Sequence, residues 1–199
     1  MALKTKIKVG NITNLSDARY CAGMGVDMLG FKIDETQGKG ITSVTFREIA
    51  NWVSGPEFVL EVSEFPDNRS EVAEIGFIEL TASRINELDR KGFDGQVIVT
   101  IDFKDWPVYK NDLLAHKKTI AFLLMKNTSG QPINDVKTRV QELATDFAVL
   151  LGGDIRVDEL DEYLTWPIAG LALNGSEEAS PGIKDYDHLS SILERLEVD

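Results

Sequence analysis

Short runs of β-branched and aliphatic residues alternate with longer amphipathic segments along the chain, and this alternation limits the fold more than any single motif. The runs are TKIKVG (5–10), DMLGFKI (27–33), EFVLEVS (57–63), FIEL (77–80), QVIVTID (96–102), TIAFLLM (119–125), FAVLLGG (147–153) and IAGLAL (168–173). Each has the length and composition of a strand. Between them, NLSDARYCAGMG (14–25), SVTFREIANWV (43–53), SRINELDRKG (83–92), INDVKTRVQELATD (133–146), RVDELDEYLTW (156–166) and YDHLSSILERLEV (186–198) repeat apolar residues at helical spacing. Asn14 and Ser43 read as helix starts. The segment after the third strand (64–76) is short for a full helix, and Pro107 makes the one after the fifth (103–118) a weak helix.

Eight strands alternating with helices predict a (β/α)8 barrel rather than an open doubly wound sheet, with residues 1–199 as one domain near the low end of about 200 residues for such barrels. VIVTI and AFLLM read as strands buried on both faces, as a barrel requires. No G-x-G-x-x-G or G-x-x-x-x-G-K-[ST] run occurs, so dinucleotide and nucleoside triphosphate loops lack their signatures.

Charge removes other classes. With 21 Lys and Arg against 33 Asp and Glu, the net charge of −12 repels a phosphate backbone, and nucleic acid is not an expected partner. No stretch approaches the roughly 20 apolar residues of a membrane span, and MALKTKIKVG has no apolar leader core, so a cytoplasmic location without membrane attachment is expected. Cys21 has no cysteine partner, and beside only His116 and His188 it offers no metal-ligand spacing. Neither a metal nor another cofactor is expected. Cys21 reads as a packed thiol.

In such barrels ligands sit at the carboxyl ends of the strands, with phosphate commonly held after strands seven and eight. Those ends are LLGGD and LALNGSEEASPG here. Gly152 and Gly153 would let backbone approach an anion, and Asn174, Gly175 and Ser176 would offer amides and a hydroxyl. Taken singly, Gly-Gly and Asn-Gly are ordinary turn chemistry.

The ends of the chain carry a family resemblance. KIKVGNITNLSDARYCAGMGVDMLGF resembles the amino-terminal signature of phosphoribosylanthranilate isomerases, in which Lys-Ile-Cys-Gly-Ile-Thr-Asn precedes a helix and Gly-Ala-Asp-Ala-Leu-Gly-Phe. NGSEEASPGIKD resembles their Ser-Gly-Val-Glu-Ala-Ser-Pro-Gly-Val-Lys-Asp with one residue added before Ala179, and LLGGD resembles their Ala-Gly-Gly-Leu. The resemblance implies a (β/α)8 barrel performing an Amadori rearrangement in tryptophan biosynthesis, with phosphate at Gly152, Gly153, Gly175 and Ser176.

The same resemblance implies a cysteine base at the end of the first strand and an aspartate acid at the end of the sixth. Gly10 and Met125 stand in those places, and Asn11 stands where the family has glycine after the cysteine. Glu79 and Thr81 replace parts of a Gln-Leu-His-Gly run, and Lys39 replaces an arginine that grips anthranilate. Lys8, which shares strand parity with Gly10, and Asp102 and Lys126 are the charged residues able to substitute as proton-transfer groups. The expected function is binding, with isomerisation in doubt, of a small phosphorylated sugar-like ligand. The alternative is a catalytically silent barrel that acts through a protein surface, as a homodimer or with another enzyme.

Overall fold

The computed structural model describes residues 2–34, 40–62, 75–93, 95–128, 130–175, 178–180, 183–184 and 187–198. Eight parallel strands close into a barrel in chain order: β1 (Lys6–Gly10), β2 (Met28–Phe31), β3 (Glu57–Glu61), β4 (Phe77–Thr81), β5 (Val97–Asp102), β6 (Ile120–Asn127), β7 (Val149–Gly153) and β8 (Gly170–Asn174). The helices are α1 (Leu15–Gly23), α2 (Ser43–Trp52), α3 (Glu87–Lys91), α4 (Trp106–Ala115), α5 (Ile133–Leu143), α6 (Leu160–Tyr163) and α7 (Asp187–Leu196). A two-stranded antiparallel ribbon, β9 (Glu178–Ser180) with β10 (Ile183–Lys184), follows β8. By compactness the chain divides into two units, Met1–Gly76 with Leu173–Asp199, and Phe77–Ala172.

In the first unit, Lys8 lies opposite Met28 across β1 and β2, and Gly30 opposite Val59 across β2 and β3. Asn14 caps α1 by accepting from the Asp17 amide at 2.9 Å. The cap of α2 is one residue before the expected Ser43: the Thr42 hydroxyl accepts from the Thr45 amide at 3.1 Å. Phe31, Phe46 and Phe58 meet edge to face with ring centroids 5.2–5.7 Å apart, fastening α2 onto the outer face of β2 and β3. The interior face therefore carries the alternate residues, Gly30 and Val59 among them. Leu189, Ile192, Leu193 and Leu196 form the buried stripe of α7.

In the second unit, the segment expected to be a weak helix is the ten-residue α4. Pro107 falls in its first turn, where a missing amide costs no helical hydrogen bond. Trp106 is buried against Phe147 and donates from its indole nitrogen to Glu142. Two expected helices are instead divided. A 3-10 turn, Ala82–Arg84, precedes the short α3, which stops at the left-handed Gly92, and another, Val157–Glu159, precedes α6.

Candidate site at the strand ends

Lys8 is 2% exposed. Its ammonium meets the Glu61 carboxylate at 2.7 Å, with 3% and 15% of the two side chains exposed. The other carboxylate oxygen accepts from the Asn11 amide at 3.3 Å. Two glycines make room for this pair. A Cβ on Gly10 would lie 2.4 Å from Glu61 Oε1, and one on Gly30 2.2 Å from the same atom. The carboxylate thus fills the volume that side chains at the ends of β1 and β2 would take. Asn11 is in the left-handed region at φ 57°. The Gly175 amide donates to the Gly10 carbonyl at 2.7 Å, so this N–H, expected to face an anion, is engaged within the chain.

Sequence reading singles out Lys8 and Gly10 and misses Glu61, whose partner lies 53 residues away. The available signal was parity: Val59 is interior, and Glu61, two residues on, shares its face at the very end of a strand.

In the second unit, Thr100 donates its hydroxyl to Glu79 at 2.7 Å, and Glu79 is 8% exposed. Thr81 is exposed and shares a hydroxyl hydrogen bond with Ser83. Burial pushes the Asp102 carboxyl up, but the Thr128 hydroxyl and the amides of Lys104 and Thr128 outweigh it and hold the group below its ordinary value. Asp102 is therefore an ionised acceptor at neutral pH, which suits an anchor better than a proton donor.

Met125 is 1% exposed and pairs in register with Leu151, while Lys126 pairs with Asp102 on one side and Gly152 on the other. Leu151 lines a cleft with Ile133 and Val136 of α5, so Leu151 and Met125 belong to the helix-facing side. Lys126 falls on the opposite face. The position matched to the family's acid thus points away from the barrel interior.

At the end of β7, Gly153 has φ 101°, and a Cβ there would lie 2.8 Å from the Asn127 nitrogen; one on Gly152 would lie 3.1 Å from Leu124 Cδ2. Chain packing alone demands glycine at 153. The cleft beside them has a volume of ≈ 310 Å³, with apolar Val136 and Leu151, and polar Asn127, Gln131 and Arg156. Asn174 is exposed at the end of β8. Lys39 and Ser176 lie outside the described residues. Among the described residues no group of three or more His, Cys, Asp or Glu is placed to hold a metal ion, and no helix is long and apolar enough to cross a membrane.

No family model matches the chain. The curated N-(5'-phosphoribosyl)anthranilate isomerase of Chlorobium phaeovibrioides is 26% identical over 209 residues, covering 95% of this chain and 95% of that protein. The solved phosphoribosyl anthranilate isomerase of Thermotoga maritima matches with a TM-score of 0.75 at 21% identity, covering 96% of this chain and 98% of its own. That of Thermus thermophilus matches with a TM-score of 0.68 at 22% identity, over 96% and 98%. The chain is thus similar over nearly its whole length to a curated phosphoribosylanthranilate isomerase, and the solved isomerases share its barrel fold.

Proposed function

We propose that the protein binds a small phosphorylated, sugar-like ligand at the carboxyl ends of its strands and does not isomerise phosphoribosylanthranilate at a useful rate. The observation that carries this reading is the Glu61 carboxylate, 2.4 Å from where a side chain on Gly10 would begin. The place matched to a thiol base is filled by an ion-paired carboxylate from another strand. At the end of β6, Met125 is buried on the helix side and the residue on the interior face is Lys126, so neither supplies a carboxylic acid. Loss of a general acid or base costs about 10²–10⁴-fold each, so loss of both leaves little of the family's rate.

Support for the ligand class comes from the neighbours, which are named for a phosphoribosyl substrate, and from the end of β7. There the chain offers glycine backbone, a polar-rimmed cleft and the Arg156 guanidinium. The test pairs two measurements: turnover of phosphoribosylanthranilate by the purified protein, and its melting temperature with millimolar ribose 5-phosphate or inorganic phosphate. No turnover with a rise in melting temperature is expected. Turnover at a family rate, or no shift with either anion, overturns the reading.

A second reading, a barrel acting through a protein surface, is favoured by α2. Trp52 is 68% exposed under the Arg19 guanidinium, 5.4 Å from the ring centroid, and Val44 on the same helix is 60% exposed. A similar solved structure, 18% identical, is of monomers generated from a dimeric phosphoribosylanthranilate isomerase of Thermotoga maritima. Sedimentation of the wild type against Trp52→Ser separates the readings, because only a surface at α2 makes the assembly depend on that ring.

A further inference from the structure

We propose that Lys8 and Glu61 form a proton-transfer centre for the open-chain form of a sugar phosphate, interconverting an aldehyde and a ketone through an enediol. The inference rests on the ligand class given above and adds the reaction and its residues.

Glu61 ends β3, and the Lys8 ammonium, rising from the middle of β1, comes within 3.1 Å of where a side chain on Gly10 at the carboxyl end of β1 would begin, on the face where barrels of this type carry out their chemistry. The pair is poorly explained as a stabilising device. Taking both charges out of water is costly, and apolar residues of similar volume usually serve the fold as well or better. Here two glycines, Gly10 and Gly30, are given over to the space one carboxylate occupies. A buried ion pair in such a place is more economically explained by chemistry than by packing.

The geometry divides the work. Glu61 is the more accessible partner, at 15% exposure against 3% for Lys8, and the Asn11 amide fixes its second oxygen. A carboxylate held in this way can take the proton from a carbon that bears a hydroxyl beside a carbonyl. As that C–H bond breaks, its electron pair becomes the carbon–carbon double bond of the enediol, and the carbonyl π pair moves onto oxygen. The Lys8 ammonium, 2.7 Å from the carboxylate, supplies the positive charge this oxygen requires and donates it a proton. The amine so formed takes the proton of the neighbouring hydroxyl, whose oxygen becomes the new carbonyl. Protonated Glu61 then returns its proton to the former carbonyl carbon. Both residues end as they began, with no oxidant, reductant or second substrate.

The experiment incubates the protein in D₂O with ribose 5-phosphate, ribulose 5-phosphate, glucose 6-phosphate and fructose 6-phosphate. Proton NMR follows exchange at the carbons next to the carbonyl, and melting temperature reports binding in the same samples. At least one sugar should both raise the melting temperature and exchange. Glu61→Gln should keep the thermal shift and lower exchange by about 10²-fold or more, with Lys8→Met lowering it as well. Should Glu61→Gln fail to fold by circular dichroism, Glu61→Asp keeps the charge at shorter reach and must show binding with reduced exchange. A thermal shift without exchange, or exchange that survives in Glu61→Gln, overturns this inference alone. No shift with any of the four overturns the ligand class as well.

Discussion

Glu61 Oε1 stands 2.4 Å from the point at which a side chain on Gly10 would begin. The carboxylate can yield only by leaving the Lys8 ammonium, which is 2% exposed. Gly10→Ala should therefore lower stability by about 1–3 kcal/mol through overpacking. The loss should move toward 3–5 kcal/mol if the ion pair parts. Urea denaturation followed by circular dichroism reads the difference, and an unchanged midpoint would show that the carboxylate has another place to rest. For the same reason, Gly10→Cys alone should not place a reactive thiol at this strand end.

Lys8 and Glu61 should be strongly coupled. Glu61→Leu takes a carboxylate away from a buried ammonium and should cost about 3–5 kcal/mol, whereas Lys8→Met with Glu61→Leu should cost clearly less than the two single changes added together. The four denaturation midpoints close the cycle. Additive losses would mean that the two charges do not depend on each other.

Asp102 sets a pH dependence. Its folded value lies below the ordinary 3.8, with burial opposing and the Thr128 hydroxyl and nearby amides prevailing. A lowered folded value means that the unfolded chain takes up the proton first. The stabilisation is then complete above the unfolded value and drains away as pH falls through the folded one. Thr128→Val should remove part of this acid-side slope and leave stability near pH 7 lowered. A melting-temperature profile from neutral to acid pH that is the same in both proteins would count against the assignment.

Gly153 and Arg156 should separate packing from binding at the end of β7. Gly153 has φ 101°, and an added Cβ would meet the Asn127 nitrogen at 2.8 Å, so Gly153→Ala should destabilise the protein by about 1–3 kcal/mol with no ligand present. Arg156 pairs with Asp158 at 2.8 Å with 57% and 68% of the side chains exposed, an arrangement that adds little to stability. Arg156→Ala should leave the melting temperature unchanged and weaken its rise with phosphate. If the rise is untouched, the guanidinium does not hold the anion.

The barrel was legible because its information is local: eight β-branched runs, each close to an observed strand, and helices whose apolar stripes repeat at the right spacing. Local errors have local causes. Pro107 weakens the reading of α4 until its place in the first turn is known, and the helix read over 83–92 opens instead as a 3-10 turn at Ala82–Arg84, with α3 starting only at Glu87. The site was less legible because its geometry is not local. Nothing in EFVLEVS shows that Glu61 reaches the space left open by Gly10 and Gly30. Met125 matched the acid by neighbouring residues, yet a register shared with Leu151 turns it to the helix side.

Asn11 follows β1 with φ 57°, in the left-handed region that glycine enters freely and asparagine tolerates better than most residues. The resemblance matches this position to a glycine. Glycine and asparagine both enter this region, so a turn of this kind can keep its handedness while its letters change. Patterns written in residue types pass over such a turn, whereas patterns written in backbone angles find it. Distant barrels of this kind are better sought by the shape of the first loop than by any one residue type beside it.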